Sequence, residues 1–309
     1  MKVVSLGAGA IGGYFGGRLV ESGCDVTFLV RDGRKASLQK SGLRIESGFG
    51  NFSSPVRAVT REEISAPADL VLLTCKAYDL SGAIEAIRPA VGPETAILPL
   101  LNGLAHLDEL NRVFGAGRVL GGFAKIAVTM LPDGTIKHLN DWRYITFGEQ
   151  TGAMSGRLGV VKALFDRTSV VAAAVPNIMA GMWEKLVHLA TVAGATAVMR
   201  ANIGEIVRTE EGSALMIELL ETNAAIAARA GFACSAGFLD EYRALLSDRK
   251  SMHTASMLRD IENKGQIEAD HIIGYLLRKA REHGVDDRLL RVIYVNTKAY
   301  EQRRQAGRL

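Results

Sequence analysis

The sequence predicts an α/β fold: a Rossmann-type doubly wound sheet domain followed by an all-helical C-terminal domain. Three observations carry this. From Met1 to about residue 175, short β-rich runs alternate with helical stretches. A glycine-rich loop separates the first of those runs from the first helix. Beyond Pro176 the β-rich runs give way to long amphipathic helices. The expected division is 1–175 for the nucleotide-binding domain and 176–309 for the helical one, since 309 residues suit two cores better than one or three.

The strand candidates are KVVSLG, DVTFLV, LVLLTC, AILPLL, VLGGFAKIAVTM, TIKHL, RYITFGE and SVVAAAV, with GRLGVVKALFDR reading as a helix before the last of them. LPDG has turn chemistry, so the strands on either side of it are expected to form an antiparallel hairpin that extends the parallel sheet on one side. The helical half is read from IMAGMWEKLVHLATVAGATAVMRA, GSALMIELLETNAAIAARAG, LDEYRALLSDR and EADHIIGYLLRKAREHG.

Composition narrows the function classes. Apolar residues make up 48% and charged residues 23%, the balance of a soluble globular protein. The net charge of +4 comes from 37 basic and 33 acidic residues scattered along the chain. No basic run tracks a phosphate backbone, so no nucleic-acid partner is expected. Cys24, Cys75 and Cys234 are odd in number and lack metal-ligand spacing, which points to reduced core thiols and no metal site. Neither a signal peptide pattern nor an apolar run of membrane-spanning length occurs, so the expected location is the cytoplasm, without a membrane partner. The oligomeric state is left open, a homodimer included.

The motif Gly7-Ala8-Gly9-Ala10-Ile11-Gly12 follows an apolar run and opens a helix, the context in which GxGxxG becomes informative. Gly7 would make the tight turn, Gly9 would admit the pyrophosphate close to the backbone, and Gly12 would let helix and strand pack. The amides around Ala10 and Ile11 would face the phosphates at the helix N-terminus. At the end of the second strand, where an NAD enzyme carries an acidic residue, the sequence reads Val30-Arg31-Asp32-Gly33-Arg34-Lys35. Guanidinium groups bind phosphate in pairs of hydrogen bonds, so Arg31, with Arg34 as a further candidate, suits the 2′-phosphate of NADP(H). Asp32 leaves room for NAD. Lys76 and Asn102 fall at the carboxyl ends of later strands, where a doubly wound sheet opens its ligand crevice.

These segments resemble the ketopantoate reductase (2-dehydropantoate 2-reductase) family. GAGAIGGYFGGRL, the following arginine, CKAYD, LLNG, MWEKL, and SMLRDI with IEADHIIGYLLRKAREHG carry the resemblance, nearly end to end. It implies NADPH-dependent reduction of the ketone of 2-dehydropantoate to pantoate, in pantothenate biosynthesis, with the active site between the domains. It also implies a small 2-oxo acid as substrate, Lys185 as general acid, Glu268 on the substrate hydroxyls and Ser256 in contact with substrate. Asn102 and Lys76 would stand on the nicotinamide side, and Asn102 joins Lys185 and Glu268 in the implied catalytic set.

The residues support Lys185 independently. On a helix, Lys185, Leu189, Val192 and Thr196 share one largely apolar face, which directs the ammonium toward a buried stripe. Desolvation there lowers the lysine pKa and makes it a better proton donor near neutrality. A lysine that snorkels to water or pairs with a structural carboxylate is the competing explanation. Glu268 at a helix start is also explained by the helix dipole alone, and Ser256 by capping or solvation.

The sequence departs from the family at Leu189, Ala193 and Ile273, where asparagines are usual. Three polar positions have become apolar, enough to change the preferred substrate. Two alternatives therefore stand beside ketopantoate reduction: a paralogous reductase of a less polar 2-oxo acid or ketone, and a non-enzymatic NADP(H)-binding sensor.

Overall fold

A computed structural model describes all residues 1–309. The chain forms two compact units, one of residues 1–101 and 106–178, the other of residues 102–105 and 179–309. No helix is long and apolar enough to cross a membrane.

The first unit holds β1 (Lys2–Leu6), α1 (Ala10–Glu21), β2 (Asp25–Leu29), α2 (Asp32–Ser41), β3 (Leu43–Glu46), β4 (Phe52–Ser54) and β5 (Arg57–Val59). It continues with β6 (Leu70–Leu73), α3 (Leu80–Ile87), β7 (Ala96–Pro99), α4 (Ala105–Phe114), β8 (Leu120–Met130), β9 (Ile136–Glu149), α5 (Gly156–Phe165) and β10 (Val171–Ala174). One sheet is parallel throughout in the order β5-β2-β1-β6-β7. The order reverses between β1 and β6, so the carboxyl ends of these two strands flank the crevice where such sheets take ligands.

The hairpin around LPDG forms, with β8 antiparallel to β9, but it does not extend the parallel sheet. It builds a second five-stranded sheet, in which β9 lies between β10 and β3, β4 follows β3, and β8 pairs with β9. Only an isolated bridge between Ile97 and Val119 joins the two ladders. TIKHL and RYITFGE are one continuous strand, β9. Helix α1 packs between the two sheets.

Helix α1 carries four glycines, each unfavourable in a helix interior by ~1 kcal/mol relative to alanine. Its packing explains them. A Cβ on Gly16 would lie 2.7 Å from the Phe28 ring on the parallel sheet, and one on Gly17 would lie 2.6 Å from Ile45 Cδ1 on the second sheet. Side chains at these positions would force the layers apart. The core between them contains Phe15, Phe28, Leu43, Ile45, Phe147 and Phe165.

The second unit is helical: α6 (Ile178–Met199), α7 (Ile203–Ile206), α8 (Glu210–Arg229), α9 (Ala236–Leu246), α10 (Ser256–Glu262), α11 (Ala269–His283) and α12 (Arg288–Gln305). Helices α11 and α12 pack closely: a Cβ on Gly274 would lie 3.0 Å from Tyr294 Cε2. The turn Asn102–Ala105 belongs with these helices, and Gly103 shows why. Its φ is +84°, and a Cβ there would lie 2.7 Å from the His271 carbonyl oxygen. None of the three cysteines is in a disulfide, and all are half-buried, not the core thiols expected from their apolar neighbours.

Candidate active site

Two sets of site residues can be built from these elements, one in each unit. In the first unit β1 runs into the Gly7–Gly9 loop, which opens α1. Gly7 has φ +91°, a left-handed conformation that suits glycine. A Cβ on Gly12 would meet Thr74 Oγ1 at 2.2 Å and the Gly7 carbonyl oxygen at 2.4 Å, whereas a Cβ on Gly9 would meet nothing within 4 Å. So Gly12 seals the loop against β6, while Gly9 faces open space. No side chain caps α1 at Gly9, and no acidic residue stands in its first turn. The first amides of the helix and its positive dipole end are therefore uncompensated by the chain, as an anion-binding terminus requires. These residues fit a dinucleotide pyrophosphate.

Thr74 was not singled out in the sequence. Its hydroxyl donates to the Leu6 carbonyl at 2.7 Å, which ties the end of β6 to the end of β1. Its position directly after an apolar strand, two residues before Lys76, was the available signal. Lys76 itself is exposed.

The cations after β2 have separate fates. Arg31 leaves 86% of its side chain exposed, with a 3.3 Å ion pair to Asp79. Lys35 donates to both carboxylate oxygens of Glu63, at 2.5 and 2.6 Å. Arg34, the further candidate for the phosphate, turns toward the glycine loop. Its Nε and Nη2 donate to the Ala8 carbonyl at 3.1 and 2.8 Å, and Nη2 reaches the Gly134 carbonyl at 3.3 Å.

In the second unit, Lys185 stands in the middle of α6. Val192 and Thr196 on its face are 1% and 0% exposed, so the apolar stripe expected from the spacing is present. Lys185 is half-buried as a residue, and burial of its ammonium pulls the pKa down to about 8, against an opposing pull from the Glu268 carboxylate. Its Nζ donates to Asn102 Oδ1 at 3.3 Å. Glu268, buried, immediately precedes α11. The structure thus groups Lys185, Asn102 and Glu268: an ammonium, an amide acceptor and a carboxylate in a largely desolvated setting. Such a group can hold a proton near neutrality and deliver it to an oxygen that gains negative charge. Ser256 opens α10, half-buried, and no hydrogen bond joins it to the lysine. Of the three apolar departures, Ala193 and Ile273 are fully enclosed. Leu189 alone keeps surface.

The chain thus joins a doubly wound α/β unit to a helical unit whose first long helix carries a largely desolvated lysine. Residues 3–152 match the family described as "Ketopantoate reductase PanE/ApbA", and residues 177–301 match its C-terminal counterpart. The chain belongs to the ketopantoate reductase family, whose members are NAD(P)H-dependent oxidoreductases. It is 33% identical over 301 residues to the "Uncharacterized oxidoreductase YkpB" of Bacillus subtilis, covering 97% of this chain and 99% of that one. The crystal structure of 2-dehydropantoate 2-reductase from Geobacter metallireducens superposes with a TM-score of 0.87 at 29% identity, over 97% of this chain and 99% of the other. D-mandelate dehydrogenase in a ternary structure with NADH and anilino(oxo)acetate shares the fold, with a TM-score of 0.86 at 22% identity over 99% of each chain.

Proposed function

We propose that the chain is an NADPH-dependent reductase of a 2-oxo acid, with 2-dehydropantoate as its substrate and pantoate, a precursor of pantothenate, as the product. The observation that carries this reading is the Lys185 group: a buried ammonium with a pKa of about 8, held by Asn102 and faced by the charge of Glu268. A protein that only bound the coenzyme would have no use for such a lysine. The coenzyme, when bound, supplies the hydride to the ketone carbon. Lys185 gives a proton from Nζ to the ketone oxygen, which becomes the alcohol hydroxyl, and the neutral amine takes a proton back from water. Asn102 accepts one N–H of the ammonium and so orients the group. Glu268 keeps the ammonium charged and accepts from the substrate hydroxyls.

The pH dependence follows from the sign of the shift. Only protonated Lys185 is the acid, so reduction is full below a pKa of about 8 and is lost as pH rises through it. Replacing Glu268 by glutamine removes the charge that raises this pKa, so the alkaline limb of kcat moves to lower pH. A limb that stays in place in the Glu268→Gln enzyme overturns the assigned coupling.

Arg31 supports the preference for NADPH, because its exposed guanidinium stands at the end of β2 with only a long ion pair to Asp79. A charge-assisted hydrogen-bond set to the 2′-phosphate is worth ~1.5–3 kcal/mol, so Arg31→Ala should raise the Kd for NADPH by roughly 10- to 100-fold. The Kd for NADH should change little. Tighter binding of NADH by the unaltered protein would sink the assignment.

A second reading rests on Leu189, which keeps surface one turn after Lys185. It retains the chemistry and changes the substrate to a less polar 2-oxo acid or ketone. A panel of keto acids assayed by NADPH oxidation separates the two: turnover of an apolar keto acid with none of 2-dehydropantoate selects the second.

A further inference from the structure

Arg34 lies in the first turn of α2 and no carboxylate pairs with it; its positive charge is met by backbone oxygens. Two of its nitrogens converge on one atom, the Ala8 carbonyl oxygen, at 3.1 and 2.8 Å, and the same guanidinium reaches Gly134 O at 3.3 Å. Room for it is reserved in the hairpin turn: Gly134 has φ +83°, and a Cβ there would lie 2.6 Å from Arg34 Nη1. The guanidinium is thus wedged between the glycine loop and the β8–β9 turn, which are far apart in sequence.

Ala8 and Gly9 share a peptide plane, and the chain contains no cis peptide. In a trans peptide the C=O and the N–H point in opposite directions. Pinning the Ala8 carbonyl to Arg34 therefore turns the Gly9 N–H away from the guanidinium, in a loop where the Gly9 Cα faces open space. Two charge-assisted donors hold this orientation more firmly than one neutral bond would.

We infer that Arg34 is a positioning residue: it fixes the Ala8–Gly9 peptide and so sets the affinity of the glycine loop for the pyrophosphate that NADPH and NADH have in common. This rests on the coenzyme site proposed above. It divides the labour between two arginines, Arg31 reading the 2′-phosphate and Arg34 shaping the loop for either coenzyme.

The test is fluorescence titration of the full chain with NADPH and with NADH, together with steady-state kinetics. Arg34→Ala should raise the Kd for both by a similar factor, ~10-fold or more for the loss of charge-assisted bonds, and the coenzyme KM should rise more than kcat falls. Arg34→Lys, which keeps one cationic donor for the Ala8 carbonyl, should recover part of the loss. Gly134→Ala, which crowds the guanidinium from the hairpin side, should weaken both coenzymes as well, and it decides the matter should Arg34→Ala fail to fold. A loss confined to NADPH would overturn the proposal and make Arg34 a phosphate ligand. Unchanged affinities in Arg34→Lys and Gly134→Ala would overturn it too. Failure of the unaltered protein to bind either coenzyme would instead remove the underlying reading of the site.

Discussion

Replacing Lys185 by alanine is expected to lower kcat by ~10²–10⁴-fold, the usual contribution of a positioned general acid. Two effects are lost together. The proton donor disappears, and so does the positive charge that would stabilise the developing alkoxide. Lys185→Arg separates them, since a guanidinium keeps the charge but does not give up its proton near neutrality. The arginine enzyme should therefore recover part of the rate and lose the alkaline limb that Lys185, with its pKa of about 8, gives the unaltered enzyme. An alanine enzyme with an undiminished rate would remove Lys185 as the acid. An arginine enzyme that retains the limb would move the limb to another group.

Gly12→Val is expected to abolish tight coenzyme binding. A Cβ at this position would overlap Thr74 Oγ1 at 2.2 Å and the Gly7 carbonyl oxygen at 2.4 Å. Neither can withdraw cheaply, because the Thr74 hydroxyl is bound to the Leu6 carbonyl and the Gly7 oxygen is part of the loop itself. Overpacking of this kind costs about 1–3 kcal/mol of stability, so Tm should fall, and displacement of the loop by the same strain should raise the Kd for NADPH by roughly 5- to 150-fold. Gly9→Ala is the informative partner. Its Cβ would meet no protein atom within 4 Å, so stability should hold while coenzyme affinity falls, because the methyl group would occupy the space proposed for the pyrophosphate. Undiminished affinity in Gly9→Ala would place the coenzyme elsewhere.

The sequence made β1, the glycine loop and α1 legible because each is written locally: an apolar run, three spaced glycines, then a helix. The second sheet was hidden. Its strand β3 is four residues long, and it pairs Ile45 with Ile136 across half the length of the first unit, so no short window contains the pattern. The hairpin was therefore recognised and attached to the wrong sheet. Helix α12 was also missed, since its buried positions are only Leu290, Ile293, Thr297 and Tyr300 among many charged residues. At the candidate site, the apolar face around Lys185 pointed correctly to a desolvated ammonium. Its bond to Asn102 spans 83 residues and leaves no mark in either local segment. The bonds of Arg34 to the Ala8 and Gly134 carbonyls were hidden for a related reason: a basic residue beside a glycine-rich loop has the same appearance in sequence whether it meets a phosphate or the loop's own carbonyl.

The turn from Asn102 to Ala105 has a consequence for how this protein can be divided or inherited. The acceptor for the Lys185 ammonium is encoded upstream of the hairpin, of α5 and of β10, yet it is grouped with the helices. A fragment beginning at residue 179 would carry Lys185 and Glu268 without Asn102. A recombination that joined these helices to a foreign sheet half at the apparent boundary would deliver Lys185 without the Asn102 acceptor unless the new host supplied one in the matching turn. The smallest heritable piece that keeps the Lys185–Asn102 pair intact therefore includes sequence from both halves of the gene.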